Sequence, residues 1–445
     1  MKREHLIKPL LNHHYPTISY GKGVFLYDDQ GNSYLDASSG AVTAGIGHGV
    51  QEIADAMQEQ ASKVSFVYRS QFTSEPAEAL AERLSDLAPG HDYWSFFVNS
   101  GSEATETAMK IAIQHWQEKG RPSKYKVLSR RMSYHGITLG ALSMSGHFTR
   151  RRRFVPLLED FPLVAPPYCY RCPMQLDPST CGQSCANDLE TVVKRIGSEH
   201  IAAFIAEPVI GAAGGAVVPP DGYYERIMEI CRRHEILFIA DEVMTGIART
   251  GMMFGMEHWG IQPDIIALGK GLSAGYTPMA ATLAKDHVLE PILNGSKLVM
   301  SGHTYSANPQ SAAVALAVLD YIEDQQLVEA AREKGQYLQA ALSSMAAVLE
   351  IIGDVRGKGL LLGLEFVADR QTKEPFPSSA ALTTRVVERA FNKGLLIYPA
   401  AGGVDGEGDA IIIAPPFTIS TEEMDLLVER LGEAIAEVSQ EVLSG

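Results

Sequence analysis

With 445 residues the chain exceeds what one hydrophobic core normally organises, so a large domain with a smaller companion is expected. Its 46% hydrophobic and 20% charged residues, with 40 glycines, exclude a disordered, collagenous or coiled-coil chain. A net charge of -15 argues against nucleic acid or an anionic membrane as partner, Arg150-Arg151-Arg152-Arg153 being the local exception; without an apolar leader or a membrane-length run, the expected location is cytoplasmic.

Taken in order, 15–45 alternates short apolar runs with Gly-Lys-Gly and Asp-Gln-Gly-Asn turns, which reads as small strands. Ile53, Ala54, Met57 and Ala61 recur at helical spacing over 50–62, and a second helix over 76–87 stops at Pro89-Gly90. The buried strand 93–98 runs into Asn99-Ser100-Gly101-Ser102-Glu103 and then an amphipathic helix. Ser100 and Glu103 have capping-box spacing. Strand, Gly-Ser turn and helix start form a cup for phosphate, where unpaired N–H groups meet the positive end of the helix dipole, although a capped helix without ligand has the same signature.

A strand over 126–129 leads to Tyr134-His135, an aromatic pair able to stack on a flat ring or simply to pack. Residues 150–187 read as an irregular excursion, after which a strand over 203–206 ends at Glu207-Pro208 and a helix spans 223–234. Apolar runs at 237–240 and 265–268 look like buried parallel strands, one stopping at Asp241 and the other two residues short of Lys270. A further strand over 279–284, a helix over 310–323, and a mixture of helices (324–346, 378–393) and short strands (360–367, 411–413) complete the pattern, the last part suggesting a smaller α+β domain.

Strand ends thus present Ser100-Gly101-Ser102, Tyr134-His135, Glu207, Asp241 and Lys270 to one sheet edge, the edge where open α/β sheets bind ligands. Asp241 and Lys270 alone could be an ion pair. The chemical alternative is a lysine that forms a Schiff base with pyridoxal phosphate and a carboxylate that holds a proton on its pyridine nitrogen. A nucleotide-binding reading of Gly-Lys-Gly lacks the phosphate-loop spacing and the following hydroxyl.

In order and spacing, Ser100-Gly-Ser-Glu-Ala104, Tyr134-His-Gly136, Glu207-Pro208, Asp241-Glu-Val243, Arg249-Thr-Gly251, Gly269-Lys-Gly271 and His303-Thr-Tyr305 resemble the class III aminotransferases of the fold type I pyridoxal phosphate enzymes. The resemblance covers essentially the whole chain. It implies a large α/β domain with a mostly parallel seven-stranded sheet (56–323), a smaller α+β domain (324–445) and an N-terminal segment (1–55) packed with the small domain. It also implies that Lys270 binds pyridoxal 5'-phosphate and shuttles the proton, that Asp241 pairs with the ring nitrogen, and that Ser100, Gly101 and Ser102 hold the phosphate. Tyr134, with His135, and Val243 would enclose the ring, Glu207 would stand nearby, and Thr304 would reach a phosphate in the neighbouring subunit of a homodimer or larger assembly. The implied substrates are a small-molecule amine and a 2-oxo acid; decarboxylation, racemisation or aminomutase chemistry on the same cofactor is the alternative, and a non-catalytic cofactor-binding module is disfavoured by the intact lysine and aspartate.

Two departures bear on substrate. The arginine with which members of this family clamp a carboxylate is replaced, Tyr398 standing where one branch has it and Ile412 where the ornithine and 4-aminobutyrate branch has it. Glu207 therefore lacks its expected partner, and Met244 stands where the 2-oxoglutarate branch often has glutamine. Pyruvate is favoured over a dicarboxylate acceptor, with a primary amine or an ω- or β-amino acid as donor. Tyr20, Phe66, Tyr68 and Tyr398 suggest an aromatic-lined pocket. Arg69 and Arg150 to Arg153 could supply a replacement cation, although surface charge is the commoner role of such residues.

Cys169, Cys172, Cys181 and Cys185 have two, eight and three residues between them. Four thiolates could hold zinc, but the central interval is not that of a zinc ribbon. Reduced thiols in a loop near the active-site mouth, with no metal, are expected.

Overall fold

The computed structural model describes residues 5–11 and 13–443. Its centre is a seven-stranded sheet in the spatial order Tyr93–Val98, Ala280–Lys285, Ile265–Leu268, Leu237–Asp241, Ile201–Ala206, Lys126–Arg130, Leu163–Val164. Ala280–Lys285 runs antiparallel to both of its neighbours, and the other pairings are parallel.

Four adjacent strands of this sheet are buried at every position, which explains why they appear in the sequence as unbroken apolar runs. Alternate residues serve opposite faces. On one face Phe204 and Phe238 pack with Tyr224 and Ile227 of the helix Tyr223–Arg233. On the other, Ile205, Ile239 and Ile265 pack with Ala108, Ile111 and Ala112 of the helix Gly101–Glu118.

Two smaller sheets stand beside it. One joins Ile18–Lys22, Phe25–Asp28 and Ser33–Asp36 to Leu395–Leu396, so a late strand pairs in parallel with an early one. The other is an antiparallel sheet of Ile352–Lys358, Leu361–Phe366, Asp409–Ile413 and Tyr398–Ala401, covered by the helices Leu327–Val348, Leu382–Asn392 and Thr421–Leu443.

The 150–187 excursion is more ordered than its composition suggests. It contains the seventh strand, Leu163–Val164, and the start of the helix Ser184–Ile196. Two residues are too few for a periodicity to register, and the helix enters through Gln183 in a left-handed conformation without a side-chain cap, so neither usual signal is present. Among the described residues no helix is long and apolar enough to cross a membrane.

Candidate functional site

Because the strands carrying them are neighbours in register, Glu207, Asp241 and Lys270 emerge side by side at one sheet edge. They surround a cavity of about 160 Å³ lined by Gly101, Ser102, Tyr134, His135, Gly136, Glu207, Ala212, Asp241, Val243, Met244 and Lys270. Eight residues expected at a cofactor site thus meet in one wall. Ser100 stands just behind it as the helix cap, its hydroxyl accepting from the Glu103 N–H at 3.3 Å. Glu103 in turn accepts from the Asn99 N–H at 2.7 Å, so the reciprocal bond closes one residue earlier than in a capping box.

Gly101 is a steric requirement. A Cβ there would stand 2.6 Å from Val243 Cγ1, so any larger residue pushes the helix start away from the strand end that carries Asp241. Ser102 Oγ accepts from the Ile137 N–H at 3.0 Å, tying the cup to the Tyr134-His135-Gly136 turn.

Asp241 is buried and its two oxygens are held apart in role. Oδ1 accepts from the Val243 N–H at 3.1 Å, and Oδ2 lies 2.7 Å from His135 Nδ1. The far nitrogen of His135, Nε2, is buried without a hydrogen-bond partner. Lys270 has φ 44°, a left-handed conformation that a lysine keeps only where its surroundings enforce it. Burial draws its amine down to about 8, against the pull of Asp241 and Glu207.

Glu207 has a partner that its sequence context hides. Arg130, fully buried at the end of its strand, sends Nη2 to the Glu207 carbonyl at 2.7 Å and to within 3.9 Å of Oε2. The Tyr134 and Gly211 N–H groups donate to the carboxylate at 3.3 and 3.1 Å. Burial nevertheless raises the Glu207 carboxyl above its usual value, with His135 and Arg130 opposing the rise. An arginine ending a buried strand was the available signal for Arg130, and Gly136 belonged to the Tyr134-His-Gly136 motif; Ala212 carried none.

Above the cavity Met244 clusters with Ile412, Ala400 and Tyr398. Ile412 is completely buried in this cluster, so apolar packing occupies the position of one missing arginine. Arg150 departs from the expected surface role: it is half-buried, with its guanidinium carbon 4.1 Å from the centre of the Tyr134 ring and Nη2 donating to the Tyr398 hydroxyl at 3.4 Å. Arg152 and Arg153 are exposed. Tyr20, Phe66, Tyr68, Arg69 and Thr304 are also exposed and do not line this cavity within one chain. Tyr20 stacks on Tyr27, Phe66 meets Tyr305 edge-on, and Arg69 lies over Phe96 and donates to the Ser301 carbonyl at 2.5 Å.

The four clustered cysteines line a second cavity of about 260 Å³ that shares no lining residue with the first. All are free thiols, and burial followed by the neighbouring Cys169 pushes Cys185 up to about 11. Among the described residues no group of three His, Cys, Asp or Glu side chains is arranged to hold a metal ion.

The family profile described as "Aminotransferase class-III" matches residues 11–435. The chain is 55% identical to the uncharacterized aminotransferase YodT of Bacillus subtilis over 98% of both chains. It is 40% identical to an adenosylmethionine-8-amino-7-oxononanoate aminotransferase of Geobacter sulfurreducens, covering 95% of this chain and 92% of that one. An (S)-enantioselective omega-transaminase from Thermomicrobium roseum superposes with a TM-score of 0.91 at 38% identity, over 98% of this chain and 96% of that one. The chain therefore belongs to the class III aminotransferases, enzymes of fold type I that depend on pyridoxal phosphate.

Proposed function

We propose that the chain moves an amino group from a primary amine or an ω- or β-amino acid to a 2-oxo acid, with pyruvate favoured over 2-oxoglutarate, and that Lys270 is its catalytic lysine. The observation that carries this reading is the meeting, in one cavity, of a lysine drawn down to about 8 with the Asp241–His135 pair and the Gly101-Ser102 helix start.

The residues fit the cofactor at each end. Gly101 and Ser102 would hold its phosphate at the helix N-terminus, Asp241 would keep its ring nitrogen protonated, and Tyr134 and Val243 would enclose the ring. When bound, pyridoxal phosphate supplies an electron sink that stabilises negative charge at the substrate carbon. Lys270 would hold the cofactor, and its Nζ, once freed, would take the proton from the donor carbon and later give it back. An amine drawn down to about 8 suits both directions of that transfer near neutral pH. His135 orients Asp241 and spreads its charge, while Val243 fixes the other carboxylate oxygen.

The preference for pyruvate is supported by apolar Met244 at the cavity wall and by Ile412 at the position of the family's arginine. A homodimer is supported by the exposed apolar side chains of Ile137, Leu139, Phe66, Met300 and Tyr305; Thr304 would then serve the partner's site. A cytoplasmic location fits five cysteines that are all reduced. A division into 1–55, 56–323 and 324–445 is supported by the pairing of Leu395–Leu396 with Ser33–Asp36.

The test is a half-reaction. The visible band of the loaded enzyme is followed with single amines, ω-amino acids and β-amino acids, without a 2-oxo acid. Loss of the band with such a donor and its return on adding pyruvate are expected. A band that survives the whole panel overturns the donor class, and better recovery with 2-oxoglutarate overturns the acceptor.

A further inference from the structure

Arg150 lies in the last turn of the short helix Phe148–Arg151, and the groups its half-buried guanidinium touches are neutral. The Tyr134 ring lies beneath it and the Tyr398 hydroxyl beside it. His147, edge-on to the same ring at 6.0 Å, is held down to about 4 by burial and by the charge of Arg150, so it is neutral at physiological pH. Among the described residues no carboxylate comes within ion-pair distance of Arg150. Arg130 is paired with Glu207, Arg356 with Asp354 and Glu365, and Arg171 with Glu365, while buried Arg249, which has no carboxylate, is satisfied by the Leu360 and Pro415 carbonyls and the Ser39 hydroxyl. A partly desolvated cation with only aromatic and hydroxyl contacts is left short of an anion.

Its position says which anion. Tyr134 lines the Lys270 cavity, and the charge of Arg150 is felt by the Lys270 amine. Tyr398 reaches it from the strand Tyr398–Ala401 of the small domain, on the side where Met244 and Ile412 pack together. We infer that Arg150, steadied by Tyr398, is the anion anchor of the donor site and selects amines that carry a carboxylate a few carbons from the amino group. This rests on the amino-transfer reading above. The anchor belongs to the same wall as the ring-covering tyrosine, so the donor's carboxylate lies beside Tyr134 while its chain runs along Met244.

The experiment compares 3-aminopropanoate with propylamine, which has the same three-carbon chain without the carboxylate, in the half-reaction of the wild-type, Arg150→Gln, Arg150→Lys and Tyr398→Phe enzymes. The ratio of kcat/KM for the two donors is expected to fall about 10- to 100-fold in Arg150→Gln, as for loss of a charge-assisted hydrogen bond. Arg150→Lys should recover part of it, and Tyr398→Phe should show a smaller fall carried mostly by KM. An unchanged ratio in Arg150→Gln overturns the inference, as does equal loss on both donors. A second readout separates this from the amino-transfer reading: titration with unreactive propanoate, followed by the cofactor band, should require at least about tenfold more ligand in Arg150→Gln. Equal affinity rejects the anchor even where transfer is found. If neither amine reacts but propanoate binding still depends on Arg150, amino transfer from these donors fails and the anchor stands.

Discussion

Glu207 and Glu365 are both buried carboxylates facing arginine, one at the cavity wall and one in the small domain. Glu365 is surrounded: Arg356 lies 2.7 Å from one oxygen, Arg171 2.9 Å from the other, and the Tyr168 hydroxyl bonds the same group. Glu207 meets its arginine only at 3.9 Å and takes two backbone N–H groups at 3.1 and 3.3 Å, so burial still raises its carboxyl. Arginine at both oxygens makes Glu365 structural, although its Oε2 has an ion pair without a hydrogen bond. Partial compensation leaves one responsive to whatever charge enters the cavity. Lys270 belongs with Glu207, since its amine is also held away from its ordinary value.

Changes at the cavity should therefore remove function more than stability, and changes at Glu365 the reverse. The largest effect is Lys270→Ala, which should abolish turnover while leaving the thermal midpoint of the cofactor-free protein unchanged or higher, because a desolvated amine is deleted. Retained turnover would reject the assignment of the catalytic lysine. Next, Asp241→Asn should keep the cofactor yet lower kcat by about 10²–10³-fold, as for loss of a positioned electrostatic partner. Full activity in that variant would mean that the ring nitrogen needs no carboxylate.

Glu365→Gln should cost about 3–5 kcal/mol in urea unfolding, because it leaves two arginines without their counter-charge. Glu207→Gln should stay within about 1 kcal/mol of the wild type, since a neutral amide avoids the desolvation that the carboxylate suffers. Equal costs would erase the distinction between the two sites.

Two pH profiles sharpen it. Only the neutral amine of Lys270 attacks the cofactor aldehyde, so the loading rate of stripped enzyme should rise about tenfold per pH unit up to about 8 and level off above it. The smallest effect concerns Glu207. Its folded-state carboxyl holds a proton that the unfolded chain has already released, so this group's contribution to stability falls as pH rises from the ordinary carboxylate range through the folded value. Glu207→Gln should flatten that part of the stability curve; an unaltered curve would place the titration elsewhere.

Most of the sheet was legible because its strands are buried on both faces and read as apolar runs. The wall residues were legible for a related reason: each follows a strand end directly, so chain position predicts spatial position for Gly101, Glu207, Asp241 and Lys270. Legibility stopped where contacts depend on loops. Arg150 lies in an irregular segment, and nothing in its sequence neighbourhood foretells that Tyr134 and Tyr398 lie on either side of it. Arg130 was obscured differently, since a buried arginine is readable only when its carboxylate is known, and Glu207 is 77 residues away. Cysteine spacing suggested a shared site, and the thiols do share a cavity, but spacing could not show that it has no lining residue in common with the cofactor wall.

The parallel pairing of Leu395–Leu396 with Ser33–Asp36 has a consequence for synthesis of the chain. The first sheet to leave the ribosome is completed only by one of the last strands, whereas the central sheet can close once Ala280–Lys285 has emerged. At ordinary elongation rates the early strands wait roughly 20–70 s with one edge unpaired. The hairpin of Ile18–Lys22 and Phe25–Asp28 with its neighbour Ser33–Asp36 is thus the part of the nascent chain most exposed to mispairing, and closure of this sheet waits for the much later strand Leu395–Leu396.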